Sequence, residues 1–196
     1  MAEYPKKVRL KDNSEVIIRP MEKGDYDKLL VFFQNLPERD RMFLKDDVTD
    51  PETIKGWFKN FDLEKVFPLV AIRDDKIIAD GTLHRASHGW SKHLGEIRIV
   101  IANEYRHKGL SIILLDELFH VAIIKGVKKM MAQVAENQER ALSAFEKYGF
   151  VREATLKEHI IDSNGLPGNL VIMTRNMEDL IRKIEDLIIS SGLSME

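Results

Sequence analysis

Residues 96–112 read Glu96-Ile97-Arg98-Ile99-Val100-Ile101-Ala102-Asn103-Glu104-Tyr105-Arg106-His107-Lys108-Gly109-Leu110-Ser111-Ile112. The β-branched run Ile97, Ile99, Val100 and Ile101 predicts a strand over Glu96–Ala102. Beyond the turn, Leu110, Leu114, Leu118 and Val121, with Ile113 beside them, fall on one helical face, and Gly126 stands where a helix C-terminal glycine belongs. A strand, a glycine-containing turn and a helix N-terminus together favour anions. The first helical N–H groups lack intrahelical partners, and the macrodipole adds positive potential there. Arg106, His107 and Lys108 place basic side chains at the same turn.

Outward from this centre the elements alternate. Glu15–Arg19 reads as a strand stopped by Pro20, and Asp25 to Leu36 as an amphipathic helix ended by Pro37. A polar loop over Glu38–Asp50 leads to a short helix from Pro51 through Phe61, capped by Asp50. Val66–Arg73 and Lys76–Leu83 flank an Asp74-Asp75 turn as a hairpin. After the helix from Leu110 come a strand over Val127–Val134, a helix over Glu139–Tyr148 stopped by Gly149, and a hairpin of Val151–Asp162 and Leu170–Arg175. From Met177, the spacing of Leu180, Ile184, Leu187 and Ile188 predicts a last amphipathic helix. Strand runs mixed with crossovers predict an α/β fold with a mixed sheet and helices on both faces. Residues 1–196 read as one domain, with a core over about 8–176 and residues 177–196 as the C-terminal helix and tail.

Composition narrows the function classes. The net charge is −2, with 30 basic against 32 acidic residues, so the whole-chain basic field of a nucleic-acid binder is missing. With no cysteine, thiolate metal sites and cysteine nucleophiles drop out. The N-terminus is charged, and the longest apolar stretch is interrupted by Asp116, Glu117 and His120, so no secretory leader or membrane span is expected. The default is a soluble cytoplasmic protein. His84, His88 and His93 surround Trp90 in one loop, but no carboxylate sits among them at ligand spacing, and no metal is expected. Asp46, Asp47 and Asp50 form an acidic group in the loop before Pro51.

Two blocks resemble the GNAT superfamily of N-acetyltransferases. Arg106-x-x-Gly109-x-Ser111 is similar to that family's Gln/Arg-x-x-Gly-x-Gly/Ala loop. Val134, Asn137, Ala141 and Phe145-Glu146-Lys147-Tyr148-Gly149-Phe150 are similar to its second signature, at matching separation. Leu10-Lys11-Asp12-Asn13 followed by Val16-Ile17-Ile18-Arg19-Pro20 resembles the opening of the acetyltransferase domain in Pat-type protein lysine acetyltransferases, with Asn13 in place of their usual glycine. The resemblance implies a mostly antiparallel sheet of about seven strands with a central splayed parallel pair. It also implies acetyl-CoA as co-substrate: backbone groups of Ile99, Val100 and Ile101 along the pantetheine arm, N–H groups from Arg106, His107, Lys108, Gly109, Leu110 and Ser111 to Ile112 around the diphosphate, and Asn137 and Phe145 completing the cofactor side. Ser111 departs from the small residue usual at that place.

Transfer to a lysine-like amine needs a proton acceptor, because at pH 7 only about one such amine in 2,500 is the free base. Glu96 begins the strand that would hold the thioester, and the matching position in Pat-like enzymes is the general-base glutamate. An oxyanion donor is available in the backbone N–H of Val100 or Ile101. Phe145 occupies the position where many family members carry an acid tyrosine, and phenylalanine cannot donate a proton. Tyr148 lies three residues on, so the acid is Tyr148 or none. The leading expectation is an N-acetyltransferase, monomeric or homodimeric, with a protein lysine as acceptor. Alternatives are a small-molecule amine acetyltransferase and a catalytically weak acetyl-CoA sensor.

Overall fold

A computed structural model describes residues 3–59, 61–162, 164–178, 181, 182 and 190. Its centre is one eight-stranded sheet in the order β1-β2-β3-β4-β5-β6-β8-β7. The strands are β1 (Lys6–Arg9), β2 (Glu15–Pro20), β3 (Val66–Arg73), β4 (Lys76–Arg85), β5 (Leu94–Ile101), β6 (Lys129–Ala135), β7 (Val151–Ile161) and β8 (Pro167–Asn176). The helices are α1 (Tyr26–Gln34), α2 (Glu38–Arg41), α3 (Pro51–Lys59), α4 (Leu110–Ile124) and α5 (Glu139–Lys147). Every strand pair is antiparallel except β5 with β6.

Two expectations change. The four-residue strand β1 went unpredicted because its Lys-Lys-Val-Arg sequence lacks a β-branched run, and the sheet therefore has eight strands rather than seven. It is held at the sheet edge by its pairing with β2 and by Lys6 and Tyr4, which both reach Glu117 of α4. The segment read as a polar loop contains the single turn α2, started by Pro37. The predicted helix from Met177 lies mostly outside the described residues. Among the described residues no helix is long and apolar enough to cross a membrane.

Helices cover both faces. On one, Leu110, Leu114 and Leu118 of α4 pack with Leu83, Ile97 and Met130 in the main core, which continues to Leu142 of α5. The helix positions recur every four residues and the three strand residues come from the neighbouring strands β4, β5 and β6, so one apolar stripe meets one apolar face. On the other face, Leu29 and Phe33 of α1 and Ile54 of α3 pack against Val70 and Ile77 in a second core. The buried Arg19–Asp25 pair, with contacts of 2.7 Å, ties the end of β2 to the start of α1.

The functional geometry comes from where the parallel ladder stops. β5 and β6 pair only at Leu94–Lys129, Gly95–Met130 and Glu96–Met131. Past that point β5 stays with β4 as far as Ile101–Ala79, while β6 stays with β8 as far as Ala135–Leu170. Each strand follows its antiparallel neighbour, and the two diverge. Gly95 sits at the junction, where a Cβ would lie 2.8 Å from Leu83 Cδ1 and 3.1 Å from Met130 Sδ, so a larger residue would make those core side chains shift.

Candidate active site

The divergence opens a cleft of ≈ 1730 Å³ reaching from α5 on one side to α1 and α3 on the other. On β5, the N–H of Ala102 donates to Ile78 O on β4, and Arg106 Nε donates to Ile101 O from the opposite side. Strand alternation then fixes the rest. The backbone groups of Ile99 and Ile101 face the cleft, whereas those of Val100 are turned toward Asp80 of β4. Of the backbone predicted along the pantetheine arm, Ile99 and Ile101 therefore present hydrogen-bonding groups to the opening and Val100 does not.

At the open end of the cleft, Gly109 caps α4 with φ 87°. His107 also has a left-handed φ of 63°. The backbone N–H of Arg106 donates to Asn103 O, and that of Ile112 to Gly109 O. Between them, from His107 through Ser111, the N–H groups have no acceptor among the described residues. Successive unpaired amides at a helix N-terminus form an anion-binding concavity. The turn is braced from outside: the Lys11 N–H donates to Lys108 O, and the Lys11 stem packs on Gly109.

The basic side chains are spent differently from the expectation that they add free positive charge. Arg106 bridges Ile101 O and Asp40 of α2, at 3.1 and 2.9 Å. Lys108 pairs with Asp12 at 2.9 Å and lies over the Tyr105 ring. His107 approaches Arg140 of α5 at 3.4 Å. Asn137 and Phe145 line the cleft on the α5 side, and Phe145 packs edge-on against Phe150.

Glu96 lies at the apex of the divergence, its side chain 16% exposed. Lys45 Nζ and Arg98 Nε both donate to its Oε1 at 2.9 Å. Burial pushes the Glu96 carboxyl up, but the bonds from Lys45 and Arg98 outweigh it and hold it below the usual glutamate range. Across the strand pair is His84, which shares a 3.0 Å hydrogen bond with Thr82. Burial, reinforced by the Arg98 charge, pushes the His84 imidazole down to about 4, so it is neutral at pH 7. Tyr148 donates to Asp116 Oδ1 at 3.1 Å; burial and the Asp116 charge push its hydroxyl up to about 12. That hydroxyl is a poor acid.

Sequence reasoning missed Lys45, Arg98 and Asp40, whose roles depend on partners remote in the chain. It also missed Asp80, a carboxylate inside a strand otherwise apolar at that point. Asp46 lines the cleft, whereas Asp47 and Asp50 are used in local turns at Thr49 and Glu52. Of the three histidines only His84 reaches the cleft; Trp90 is 94% exposed. Among the described residues no set of three His, Asp or Glu side chains converges to hold a metal.

The profile of the acetyltransferase (GNAT) family matches residues 31–150, more than half of the chain. The chain belongs to that family. Solved GNAT structures share the fold. The GNAT domain of a PAT protein from Streptomyces lividans superposes with a TM-score of 0.73 at 17% identity, over 89% of this chain and 99% of that one. An acetyltransferase of Salmonella typhimurium solved with acetyl-CoA gives 0.72 at 17% identity, over 84% and 95%. A spermidine N-acetyltransferase chimera from Vibrio cholerae gives 0.71 at 20% identity, over 86% and 99%. A curated imidazole-4-carboxamide isomerase of Klebsiella pneumoniae is 33% identical over 79 residues, 40% of this chain and 31% of that protein, so the chain spans under a third of that relative's length. The mixed sheet with its single parallel pair is the architecture shared with those solved GNAT structures.

Proposed function

We propose that this GNAT protein transfers the acetyl group of acetyl-CoA directly to a primary alkyl amine, with Glu96 as the proton acceptor. The observation that carries the reading is the joining of two features: a strand edge left unpaired past Glu96, and unpaired N–H groups from His107 through Ser111 at its far end. An extended amide-containing arm ending in a diphosphate fits both. Ile99 and Ile101 pair with the arm's amides, and the α4 N-terminus receives the diphosphate. The thioester then lies at the apex, beside Glu96.

Glu96 is ionised over the whole physiological range and attracts the incoming ammonium, which competes with Lys45 for the carboxylate. Removing the proton costs about 4.6 kcal/mol at pH 7 for an amine of pKa ~10.4. Once neutral, the nitrogen lone pair attacks the thioester carbonyl carbon, the C–S bond breaks and CoA departs as its thiolate, and the second nitrogen proton passes through water to that thiolate, leaving the neutral amide and free CoA thiol. With a thiol pKa near ~8.5, the thiolate leaves without a dedicated acid. That accords with Phe145 in the cleft and with a Tyr148 hydroxyl committed to Asp116.

Two acceptor forms present such an amine. A free alkyl amine is supported by the part of the cleft that α1 and α3 cover, where Trp57 and Asp80 are both lining residues. A protein lysine is supported by the Pat-like opening segment and the position of Glu96. Either reaction is read as cytoplasmic, where acetyl-CoA is available.

Acetyl-CoA at about 100 times its dissociation constant should stabilise the fold by ~2.7 kcal/mol, roughly 5–10 °C in melting temperature. Thiol release should then follow addition of alkyl amines or lysine peptides. No melting shift at saturation, or no thiol release with either acceptor form, overturns the proposal.

A further inference from the structure

Asp80 sits in the middle of β4, opposite Val100, with its side chain on the cleft face that α1 and α3 cover. It is 9% exposed and lines the cleft together with Leu29, Phe33, Trp57 and Thr82. The other buried carboxylate, Asp25, is clamped by Arg19. The Asp80 carboxyl, by contrast, has no hydrogen bond or ion pair among the described residues, and burial alone raises it to about 7. No charged neighbour contributes to that rise.

A buried carboxyl without a partner is destabilising wherever it ionises. A purely structural role is served better by the apolar residues flanking it, Ile78 and Ala79, than by an acid. Direct proton removal is also a poor assignment. The register sets Asp80 four residues along the sheet from the Glu96–His84 pair, about 14 Å at ~3.4 Å per residue. What the position offers is an unpartnered carboxyl on the cleft wall, which Trp57 also lines, on the sheet face that carries Glu96. Aromatic faces beside a carboxylate are a recognition site for an organic cation.

We propose that Asp80 anchors a second positive charge on the acceptor, so that the preferred amine is a slender dication whose reacting nitrogen lies at Glu96 and whose other charged end lies at Asp80. This rests on the N-acetyltransferase reading and names its substrate class. The alkyl spacer runs past Trp57, and its length is set by the separation of the two carboxylates. A monoamine of equal length meets the same walls but leaves Asp80 unpaired, and therefore binds less tightly.

Calorimetric titration at pH 8 tests this, comparing diaminooctane and diaminodecane with octylamine and decylamine, on wild type and Asp80→Asn. Each titration is run with and without saturating CoA. Wild type should bind a diamine at least about ten-fold more tightly than the monoamine of its length, the measure of a charge-assisted hydrogen bond, and Asp80→Asn should lose that preference. Equal binding of diamine and monoamine by wild type, no binding of either, or a preference that survives in Asp80→Asn overturns the proposal. The CoA titration is read separately: its failure would count against the cofactor assignment, while the amine series in free protein still decides the role of Asp80.

Discussion

Lys45 Nζ lies 2.9 Å from Glu96 Oε1, joining the loop after α2 to the apex of the cleft across 51 residues of sequence. Burial raises the Glu96 carboxyl, and Lys45 with Arg98 lowers it further than burial lifts it. Removing Lys45 leaves burial less opposed. Lys45→Met should therefore move the acid limb of the kcat/KM–pH profile to higher pH, because Glu96 must be ionised to accept a proton. Glu96→Gln should abolish that limb and reduce kcat by about 10²-fold with little change in acetyl-CoA affinity. A profile unmoved in Lys45→Met and a rate unmoved in Glu96→Gln would remove Glu96 from the proton path.

Tyr148→Phe bears on the leaving group. The Tyr148 hydroxyl donates to Asp116, stacks its ring on Phe119, and is held near 12 by burial and the Asp116 charge. A group that retains its proton so strongly does not deliver it to a thiolate of pKa ~8.5. The substitution should change kcat by less than about two-fold, with a loss of about 1 kcal/mol in stability for the missing hydrogen bond. A fall in kcat of about a hundred-fold or more would make Tyr148 the general acid.

Much of this arrangement is visible in the chain because its signals are local. The β-branched run at Ile97–Ile101, the glycine at 109 and the spacing of Leu110, Leu114 and Leu118 are each set by backbone geometry or helical period, and the strand, turn and helix lie where those predict. Glu96, read as the first residue of that strand, is its third, because the parallel pairing with β6 begins at Leu94 and ends at Glu96. What escaped was nonlocal. Whether Arg106 serves the ligand or Asp40 depends on a residue 66 positions away. Asp80 reads as one polar residue in a buried strand, and its lack of a partner becomes visible only once β3, β5 and α1 surround it. Strand β1 escaped because its stability comes from pairing with β2 and from Glu117, not from its own propensity.

Gly109→Ala tests the anion-binding turn. With φ at 87°, an L side chain is strained there, although the added Cβ would meet Lys11 at an ordinary 3.5 Å. The cost is thus conformational, about 1–2 kcal/mol if the turn is kept. Should the turn relax instead, the free N–H groups of residues 107–111 lose their common direction. A relaxed turn should show as an acetyl-CoA affinity at least about ten-fold lower, and a kept turn as a melting temperature lowered by a few degrees at nearly wild-type affinity. Unchanged affinity without that loss of stability, read by titration calorimetry and thermal melting, would mean that the diphosphate is held elsewhere.

Asp80 also predicts an unusual dependence of stability on pH. Its folded-state pKa of about 7 lies above the ordinary aspartate value of 3.8, so the folded protein holds this proton more tightly than the unfolded chain does. The resulting stabilisation is fully present below the ordinary value and is lost as pH rises through the folded one. Asp80→Asn keeps the shape and removes the ionisation. Near pH 4 the variant and wild type should differ little. The variant should gain on wild type as pH rises toward 7, and above about pH 8 the difference should level off. The gap of about three pH units, at ~1.36 kcal/mol each, sets a ceiling of about 4 kcal/mol, which local relaxation and water entry will reduce. Denaturant melts of both proteins between pH 4 and 9 measure it. A difference that does not grow with pH would show that Asp80 is solvated or paired in the folded protein, and the cation site beneath α1 would fall with it.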